Sequence, residues 1–331
     1  MFLMHMSDGL ISLPIGIIFF IISLCCMGFS ISQMRTSDDQ KIPMMAVMGA
    51  FIFVAQMINF TIPGTGSSGH IGGGILLCLV LGQYPAFLSM CCVLIIQCLF
   101  FGDGGLLALG CNMFNMGLIP CLIVYPLIIK PLFKKNINHK TITLMSLLGV
   151  VVGLEIGAFC VVIQTLMSQI SELPFLSFLV LMLPIHFVIG IVEGIVTGAV
   201  VNYVYKENPQ MLDCDLYDQP VKDLKMKKIL KVFLILSILI GGGLSLCASS
   251  LPDGLEWSIE GITGQNEIEA AGEAQSFLSQ VQQATSVLPD YHFINDESHL
   301  GTSTSGIIGG ALCLFMIGSI GYIASRKRKH G

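Results

Sequence analysis

Long uncharged apolar runs constrain this chain more than any other feature. Residues 11–31 and 42–68 contain no Asp, Glu, Lys or Arg. About 20 such residues in a helix are enough to cross a bilayer, and a charge at a helix centre costs about 2.5–3.5 kcal/mol on insertion scales. A membrane β-barrel would alternate in polarity, and residues 144–154 do not. The sequence therefore predicts an all-α polytopic membrane protein.

Nine segments have the composition of membrane-spanning helices. They lie near residues 11–30, 43–62, 71–83, 86–101, 106–130, 141–168, 175–204, 229–249 and 306–325. All 16 Lys and Arg lie at the ends of these segments or between them, on the side reached after the first, fifth, seventh and ninth segments. Because basic residues concentrate on the cytoplasmic side, we expect about nine spans in the cell membrane, with the N-terminus outside and the C-terminus in the cytoplasm.

A charged stretch divides the chain. Residues 1–205 contain seven predicted spans, residues 206–228 form a predicted cytoplasmic linker, and residues 229–331 contain two spans around an acidic outer segment at about 250–305. Within that segment we expect a short helix over 267–287. No phosphate-binding loop of the form G-x-x-x-x-G-K-[ST] is present, so ATP-driven transport would need a separate ATPase subunit.

Two histidines on the predicted outer side are candidate metal ligands. His5 precedes the first span, where the chain amine and a deprotonated amide could add nitrogen donors of the kind that suit Ni(II) and Cu(II). His70 lies in the glycine-rich stretch 63–74, whose backbone is free to approach a ligand closely. On the residues alone, a solvated histidine near a chain end and a loop that merely contains a histidine remain open alternatives.

Ionisable residues inside predicted spans are costly and suggest function. They are Glu155, His186 and Glu193. His186 and Glu193 are seven residues apart and share a helical face, which fits either an interhelical hydrogen-bond pair or a place on an ion path. Asn112 and Asn115 allow the same two interpretations.

Two aspartates at predicted span boundaries suit helix capping. Asp8 precedes the first span and Asp103 lies in a tight turn before the fifth. An aspartate at such a position accepts hydrogen bonds from the first N–H groups of the helix. We therefore expect each to cap the helix that follows it in the sequence.

Four stretches of the chain form recognisable motifs: Met-His-x-x-Asp-Gly at 4–9, the glycine-rich Ser-Gly-His loop at 63–74, the stretch 101–117 and the seventh-span stretch 186–197. In this order they resemble the motifs of the substrate-capture membrane components of cobalt and nickel energy-coupling-factor transporters, the CbiM/NikM type. Pro-Asp-Gly-Leu-Glu at 252–256 is similar to the signature of the small accessory component, the PDGLE domain, here fused to the C-terminus.

The resemblance implies that Co²⁺ or Ni²⁺ is bound as the transported substrate, with no further cofactor. Its ligands would be the amine of Met4, the amide and imidazole nitrogens of His5, and His70. From their own positions in the chain, we expect Asp8, Asn112, Glu155, His186 and Glu193 to support the site or the ion path.

The resemblance also implies a coupling transmembrane subunit and cytoplasmic ATPase subunits as partners, and no nucleic acid. A free amine at Met4 requires that the functional chain begin there. The fused module favours nickel over cobalt.

Two other functions stay open. A stand-alone secondary metal transporter would need coupling-ion sites at midplane, for which Glu155, His186 and Glu193 are candidates. An intramembrane metalloenzyme would need a ligand set such as H-E-x-x-H, which the sequence lacks. Because the outer segment offers only His292 and His299 as imidazoles, we expect the accessory module to act in transport rather than in capture.

Overall fold

The computed structural model describes residues 5–34, 39, 41–134, 137–213, 216, 226–268, 272–293 and 299–330. This part of the chain is mostly helical. The helices are α1 (Leu13–Gln33), α2 (Ile42–Gln56), α3 (Gly74–Leu81), α4 (Gln83–Phe101, π-helical from Gln97), α5 (Leu109–Phe133, largely π-helical), α6 (His139–Ser168), α7 (Phe175–Glu207), α8 (Lys227–Gly242), α9 (Gly254–Thr263), α10 (Glu273–Thr285) and α11 (His299–His330). Short 3-10 turns lie at Asp8–Leu10, Pro209–Met211, Leu244–Cys247 and Pro289–Tyr291.

Within the described residues, six helices are long and apolar enough to cross a membrane, namely α1, α4, α5, α6, α7 and the Leu300–Ile323 part of α11. The protein is a multi-pass membrane protein. Helices α2 and α8 have 15 and 16 residues and fall short of that length. Span count and orientation remain predictions.

The third predicted span is shorter than the sequence suggested. Helix α3 has eight residues, all buried, and is about 12 Å long at 1.5 Å per residue. Its C-cap is Gly82, whose φ of +89° is a conformation that L side chains rarely adopt. The chain turns there directly into α4, so α3 does not cross a bilayer by itself.

Helices α6 and α7 pack closely along their length. Gly190, Gly194 and Gly198 recur every four residues on α7 and face α6. A methyl group at Gly194 would lie 2.8 Å from the Cα atom of Leu147. Small residues at this spacing let two helical backbones approach, which is how helices associate in a lipid environment.

The C-terminal helices pack directly on the first part of the chain. A methyl group at Gly241 of α8 would lie 2.9 Å from Cγ1 of Val54 on α2 and 3.0 Å from the carbonyl carbon of Gly306 on α11. The three helices therefore meet at one glycine.

The segment that joins α8 to α11 folds over the end of the molecule that carries His5 and His70. This end is called here the cavity end.

A short hairpin presents His70. Strands β1 (Phe60–Ile62) and β2 (Ser67–Gly69) pair antiparallel, with Phe60 opposite Gly69. Gly64 and Gly66 have positive φ values in the intervening turn, where glycine carries no steric cost. His70 follows β2 directly, so the hairpin fixes where the imidazole enters the fold.

Candidate metal centre

The structure brings His5 and His70 together. Their ring centroids are 5.8 Å apart, with the ring planes inclined by 58°. Both line a cavity of about 110 Å³ inside the cavity end. The polar residues of its wall are His5, His70, Asn112, Asn115, His186, Glu193 and Asp253.

The main chain beside His5 is held by the start of α5. The Met6 N–H donates to Oδ1 of Asn112 at 3.0 Å, and the Asn112 amide donates back to the Met6 carbonyl at 3.2 Å. The N–H of Gly105 also donates to the Met6 carbonyl, at 2.9 Å. Asn112 therefore acts as a support of the segment that carries His5.

Asp8 does not cap the first span, so that expectation is wrong. Helix α1 begins at Leu13 with Ser12 as its N-cap. The Asp8 carboxylate instead accepts the Ala108 N–H, at 3.0 Å, before α5. Burial raises the pKa of Asp8, and hydrogen bonds from N–H groups of residues 106–108 partly offset that rise. Asp8 thus ties the N-terminal segment to a helix far away in the sequence.

Asp103 does not cap the fifth span either. Its Oδ1 lies 2.9 Å from Nδ1 of His5, and its Oδ2 accepts the hydroxyl of Tyr291 at 2.5 Å. Burial alone would raise the pKa of Asp103, but the neighbouring His5 and the hydrogen bonds from His5 and Tyr291 outweigh it and lower the pKa.

The other ring nitrogen of His5, Nε2, is buried and has no hydrogen-bond partner among the described residues. Metal-bound histidines commonly pair their second ring nitrogen with a carboxylate, which fixes the ring orientation and its basicity. The contact between His5 and Asp103 would serve this purpose for an ion on Nε2. An ion that also binds the His5 amide nitrogen must instead take Nδ1 from Asp103, because Nε2 cannot reach an ion that is held by the amide of its own residue.

Glu193 holds the loop that follows His70. Its Oε2 accepts the Gly72 N–H at 2.9 Å, and its Oε1 accepts the Gly73 N–H at 2.8 Å. His186 faces the same cavity but directs Nδ1 to the Met182 carbonyl at 2.7 Å. The spacing of Glu193 and His186 predicted that they share a helical face. In the described structure, however, each of the two side chains is hydrogen-bonded to a different part of the backbone.

The remaining candidates are structural or lie elsewhere. Asn115 forms a reciprocal amide pair with Gln164, with bonds of 2.8 and 3.0 Å between α5 and α6. Glu155 is half-buried on α6 and is not part of the described cavity wall. The structure therefore separates Glu155 from the histidines. Met4 lies outside the described residues.

Sequence reasoning missed that the accessory segment closes the cavity. The Ser68 N–H donates to the Pro252 carbonyl at 2.8 Å, two residues before His70. Asp253 and Gly254 line the cavity, and a methyl group at Gly254 would lie 3.0 Å from Cε1 of His186. The Pro-Asp-Gly-Leu-Glu motif was the available signal, but nothing in its composition says which surface it covers.

Asp253 is both a helix cap and part of the wall. Its Oδ1 accepts the N–H groups of Leu255 and Glu256 at 2.8 and 2.9 Å. Burial raises the pKa of Asp253, and the bond from Glu256 and the nearby His186 partly offset that rise. The indole N–H of Trp257 donates to the hairpin turn. The start of α9 is thus fixed over the cavity.

Three imidazoles line the cavity, those of His5, His70 and His186, and the carboxylates of Glu193 and Asp253 in its wall accept backbone N–H groups. No group of three or more His, Cys, Asp or Glu side chains in the described part of the chain is arranged to hold a metal ion. Further donors would have to come from the main chain, as the resemblance implies for the amide of His5, or from solvent.

The family comparison fits this arrangement. The family described as the cobalt uptake substrate-specific transmembrane region (CbiM) matches residues 5–211, and the PDGLE domain matches residues 227–326. The chain belongs to the CbiM family. The match to that family includes His5, His70 and all of α7, and the PDGLE match includes the segment that covers the cavity.

Relatives with the same fused arrangement are named as transport proteins. The chain is 30% identical to a putative fused nickel transport protein NikMN of Archaeoglobus fulgidus, over 94% of this chain and 96% of that protein. It is 25% identical to the fused nickel transport protein NikMN of Rhodobacter capsulatus, over 99% and 100%. The cobalt transport protein CbiM of Thermosipho melanesiensis is 30% identical over 64% of this chain and 90% of that protein.

A solved structure shares the fold of the CbiM part. The crystal structure of a truncated transition metal transporter is 30% identical and aligns with a TM-score of 0.54, covering 62% of this chain and 99% of that one. The names of the relatives and of this structure describe metal transporters.

Proposed function

We propose that the protein is the substrate-binding subunit of an ATP-driven energy-coupling-factor importer of Ni²⁺ or Co²⁺. The observation that carries the proposal is the meeting of His5 and His70 in one buried cavity. The ion would be bound by His5 and His70, with the Met4 amine and the His5 amide as further donors. Asp8, Asn112 and Glu193 support the segments that carry the two histidines.

The distance between the two rings supports binding of one ion. An imidazole nitrogen lies about 2.0–2.1 Å from a bound divalent transition metal, and the ring centre about 1.1 Å further, so two rings on one ion are at most about 6.4 Å apart. The observed 5.8 Å is within that limit. Imidazole donors suit late first-row ions.

Charge distribution supports an external cavity. Residues 1–34, 42–129, 141–205 and 232–325 contain no Lys or Arg, and these ranges include every residue of the cavity wall. Basic residues concentrate on the cytoplasmic side, so the nine-span topology with the N-terminus outside remains our proposal. Carboxylates on this face would attract cations.

Transport would rely on a separate motor. The sequence has no phosphate-binding loop, so we propose cytoplasmic ATPase subunits and a coupling transmembrane subunit as partners. We also propose the division into a capture domain (1–205), a linker (206–228) and an accessory module (229–331). The fused nickel transport relatives favour Ni²⁺ over Co²⁺ as the substrate.

Calorimetric titration of the purified full chain with Ni²⁺ and Co²⁺ tests the proposal. We expect one ion per chain, and His70→Ala should abolish tight binding because it removes one of the two proposed imidazole ligands. His139→Ala is the matched control, since His139 contacts Asn202 away from the cavity. Unchanged affinity in His70→Ala would contradict the site.

Uptake assays separate the proposed importer from a secondary transporter. In membranes that contain the chain with and without the coupling and ATPase subunits, an importer accumulates Ni²⁺ only in the complete assembly. Equal uptake by the chain alone would favour the secondary transporter. Two of the three candidate coupling-ion residues argue against that alternative. Glu155 is not part of the described cavity wall, and the carboxylate of Glu193 already accepts two backbone N–H groups.

A further inference from the structure

We propose that Asp213, in the predicted linker, is a positioning residue of the metal site and acts through helix α3 on His70. The inference rests on the proposed function of His70, and it connects the metal site to a segment at the far end of α3. The sequence predicts residues 206–228 as a linker, and the structure packs the start of that linker into the core.

Helix α3 leads directly away from the loop that carries His70. It begins at Gly74, four residues after His70, and its first two residues, Gly74 and Ile75, line the cavity. All eight residues of α3 are buried. A methyl group at Gly74 would lie 2.6 Å from Cγ of Pro120 on α5, so the helix is tightly packed beside the cavity. A packed helix moves as a rigid element and can carry a displacement from one end to the other.

Two distant segments bind the last turn of α3. A helix leaves its last four carbonyl groups without a partner inside the helix. The Asp213 N–H donates to the Leu79 carbonyl at 2.9 Å, and Nζ of the buried Lys41 lies 3.4 Å from the carbonyl oxygens of Val80 and Leu81. These contacts, called here the clamp, hold α3 at the end that points away from His70.

The side chain of Asp213 is anchored in the core. Met211 and Leu212, which precede it, are buried. Oδ2 of Asp213 accepts the hydroxyl of Tyr125 on α5 at 2.8 Å, and a methyl group at Gly82 would lie 2.9 Å from Oδ1. Because a buried carboxylate needs hydrogen-bond donors, these contacts fix Asp213 in place and hold its own N–H against α3.

The other end of α3 is held by Glu193. Its carboxylate accepts the N–H groups of Gly72 and Gly73, between His70 and the helix. The helix and its loop are therefore fixed at both ends, and loss of the clamp would let α3 shift and carry His70 with it. Coupling between two sites is reciprocal. An ion bound at His70 should therefore tighten the docking of Asp213.

Hydrogen exchange of the wild-type full chain, measured with and without Ni²⁺, tests this reciprocity. The Asp213 amide should exchange more slowly once Ni²⁺ is bound, because the ion restricts α3. The control is the amide of the buried Ile142, which donates to the Asn138 carbonyl at 2.9 Å at the start of α6; its rate should stay the same. An unchanged rate at Asp213, or an equal slowing at Ile142, would overturn the inference.

Tyr125→Phe loosens the clamp and keeps the buried ring. Without the hydroxyl, the Asp213 carboxylate loses a donor and holds its segment less firmly. Substitutions within a coupled network change affinity about 2- to 30-fold, so we expect Ni²⁺ binding in calorimetry to weaken by about that factor. Ni²⁺ should also slow the Asp213 amide less than in the wild type. Asp213→Ala should weaken binding at least as much.

Tyr205→Phe is the matched control for the tyrosine variant. The Tyr205 hydroxyl donates to the Ile137 carbonyl at 3.3 Å, a bond that does not involve α3, so its loss should leave the Ni²⁺ affinity unchanged. Thermal unfolding of both variants reports any general loss of stability. If Tyr125→Phe does not fold, the exchange measurement on the wild type decides.

Wild-type affinity in Tyr125→Phe, or an equal loss in both tyrosine variants, would also overturn the inference. If His70→Ala still abolishes binding in that case, the proposed function survives. A wild-type chain that binds no Ni²⁺ would overturn both.

Discussion

Replacing Glu193 by Gln tests whether α7 sets the position of His70. Both carboxylate oxygens of Glu193 accept backbone N–H groups, from Gly72 at 2.9 Å and Gly73 at 2.8 Å. Only an ionised carboxylate offers two acceptor oxygens, whereas an amide offers one oxygen and one NH₂ donor. In Glu193→Gln, one of the two glycine N–H groups would therefore face a donor in a buried site.

An unsatisfied buried donor costs about 1–3 kcal/mol. The loop that follows His70 can avoid this cost by moving away from α7. It must then return to its original position before His70 can share an ion with His5. If binding bears that cost, the Kd for Ni²⁺ rises about 5- to 150-fold. The assay is calorimetric titration of the purified full chain, with thermal unfolding measured in parallel.

Glu155→Gln is the control for this prediction. Glu155 lies on the neighbouring helix α6, is half-buried and is not part of the described cavity wall. Its affinity for Ni²⁺ should match that of the wild type. Equal affinity in Glu193→Gln and the wild type, or an equal loss in both glutamine variants, would refute the argument that the glycine contacts position His70.

Two further predictions concern the accessory module. Truncation after residue 210 should leave about one ion per chain while weakening its binding and impairing uptake, because the truncated chain lacks Asp213 of the linker and Asp253 of the cavity wall; titration and uptake assays measure each effect. Gly254→Val should weaken Ni²⁺ binding, since overpacking costs about 1–3 kcal/mol and a methyl group there already lies 3.0 Å from His186. Gly28→Val is its control, because no atom lies within 4 Å of a methyl group at Gly28; equal effects would contradict the prediction.

The membrane class and the family followed from the sequence because both depend on local patterns. Uncharged runs indicate helices whose backbone N–H and C=O groups must be hydrogen-bonded within lipid, and the described part of the chain contains six such helices. The four-residue spacing of Gly190, Gly194 and Gly198 fits the close approach to α6. The length of α3 did not follow, because an apolar composition does not distinguish a span from a short buried helix.

The roles of the aspartates depend on contacts between distant segments. A capping rule places an aspartate on the next helix in the sequence, and it failed for Asp8 and Asp103. The carboxylate of Asp8 binds a different helix, and that of Asp103 binds His5 and Tyr291. A buried carboxylate takes whichever donors the fold brings near, which a single sequence does not state.

The accessory module shows the same limit. Its lack of soft ligands argued against a part in capture, and that argument considered only direct binding. The structure places Asp253 in the cavity wall and Tyr291 one hydrogen bond from Asp103. A segment can thus form part of the wall of a candidate metal site without offering a ligand itself.

The most direct test of the account is X-ray absorption at the nickel K edge, measured on the full chain loaded with one equivalent of Ni²⁺. We expect nitrogen or oxygen donors only, with scattering from two imidazole rings that persists in His139→Ala. A spectrum with sulfur donors, or one without imidazole scattering, would contradict the assignment of His5 and His70 as ligands.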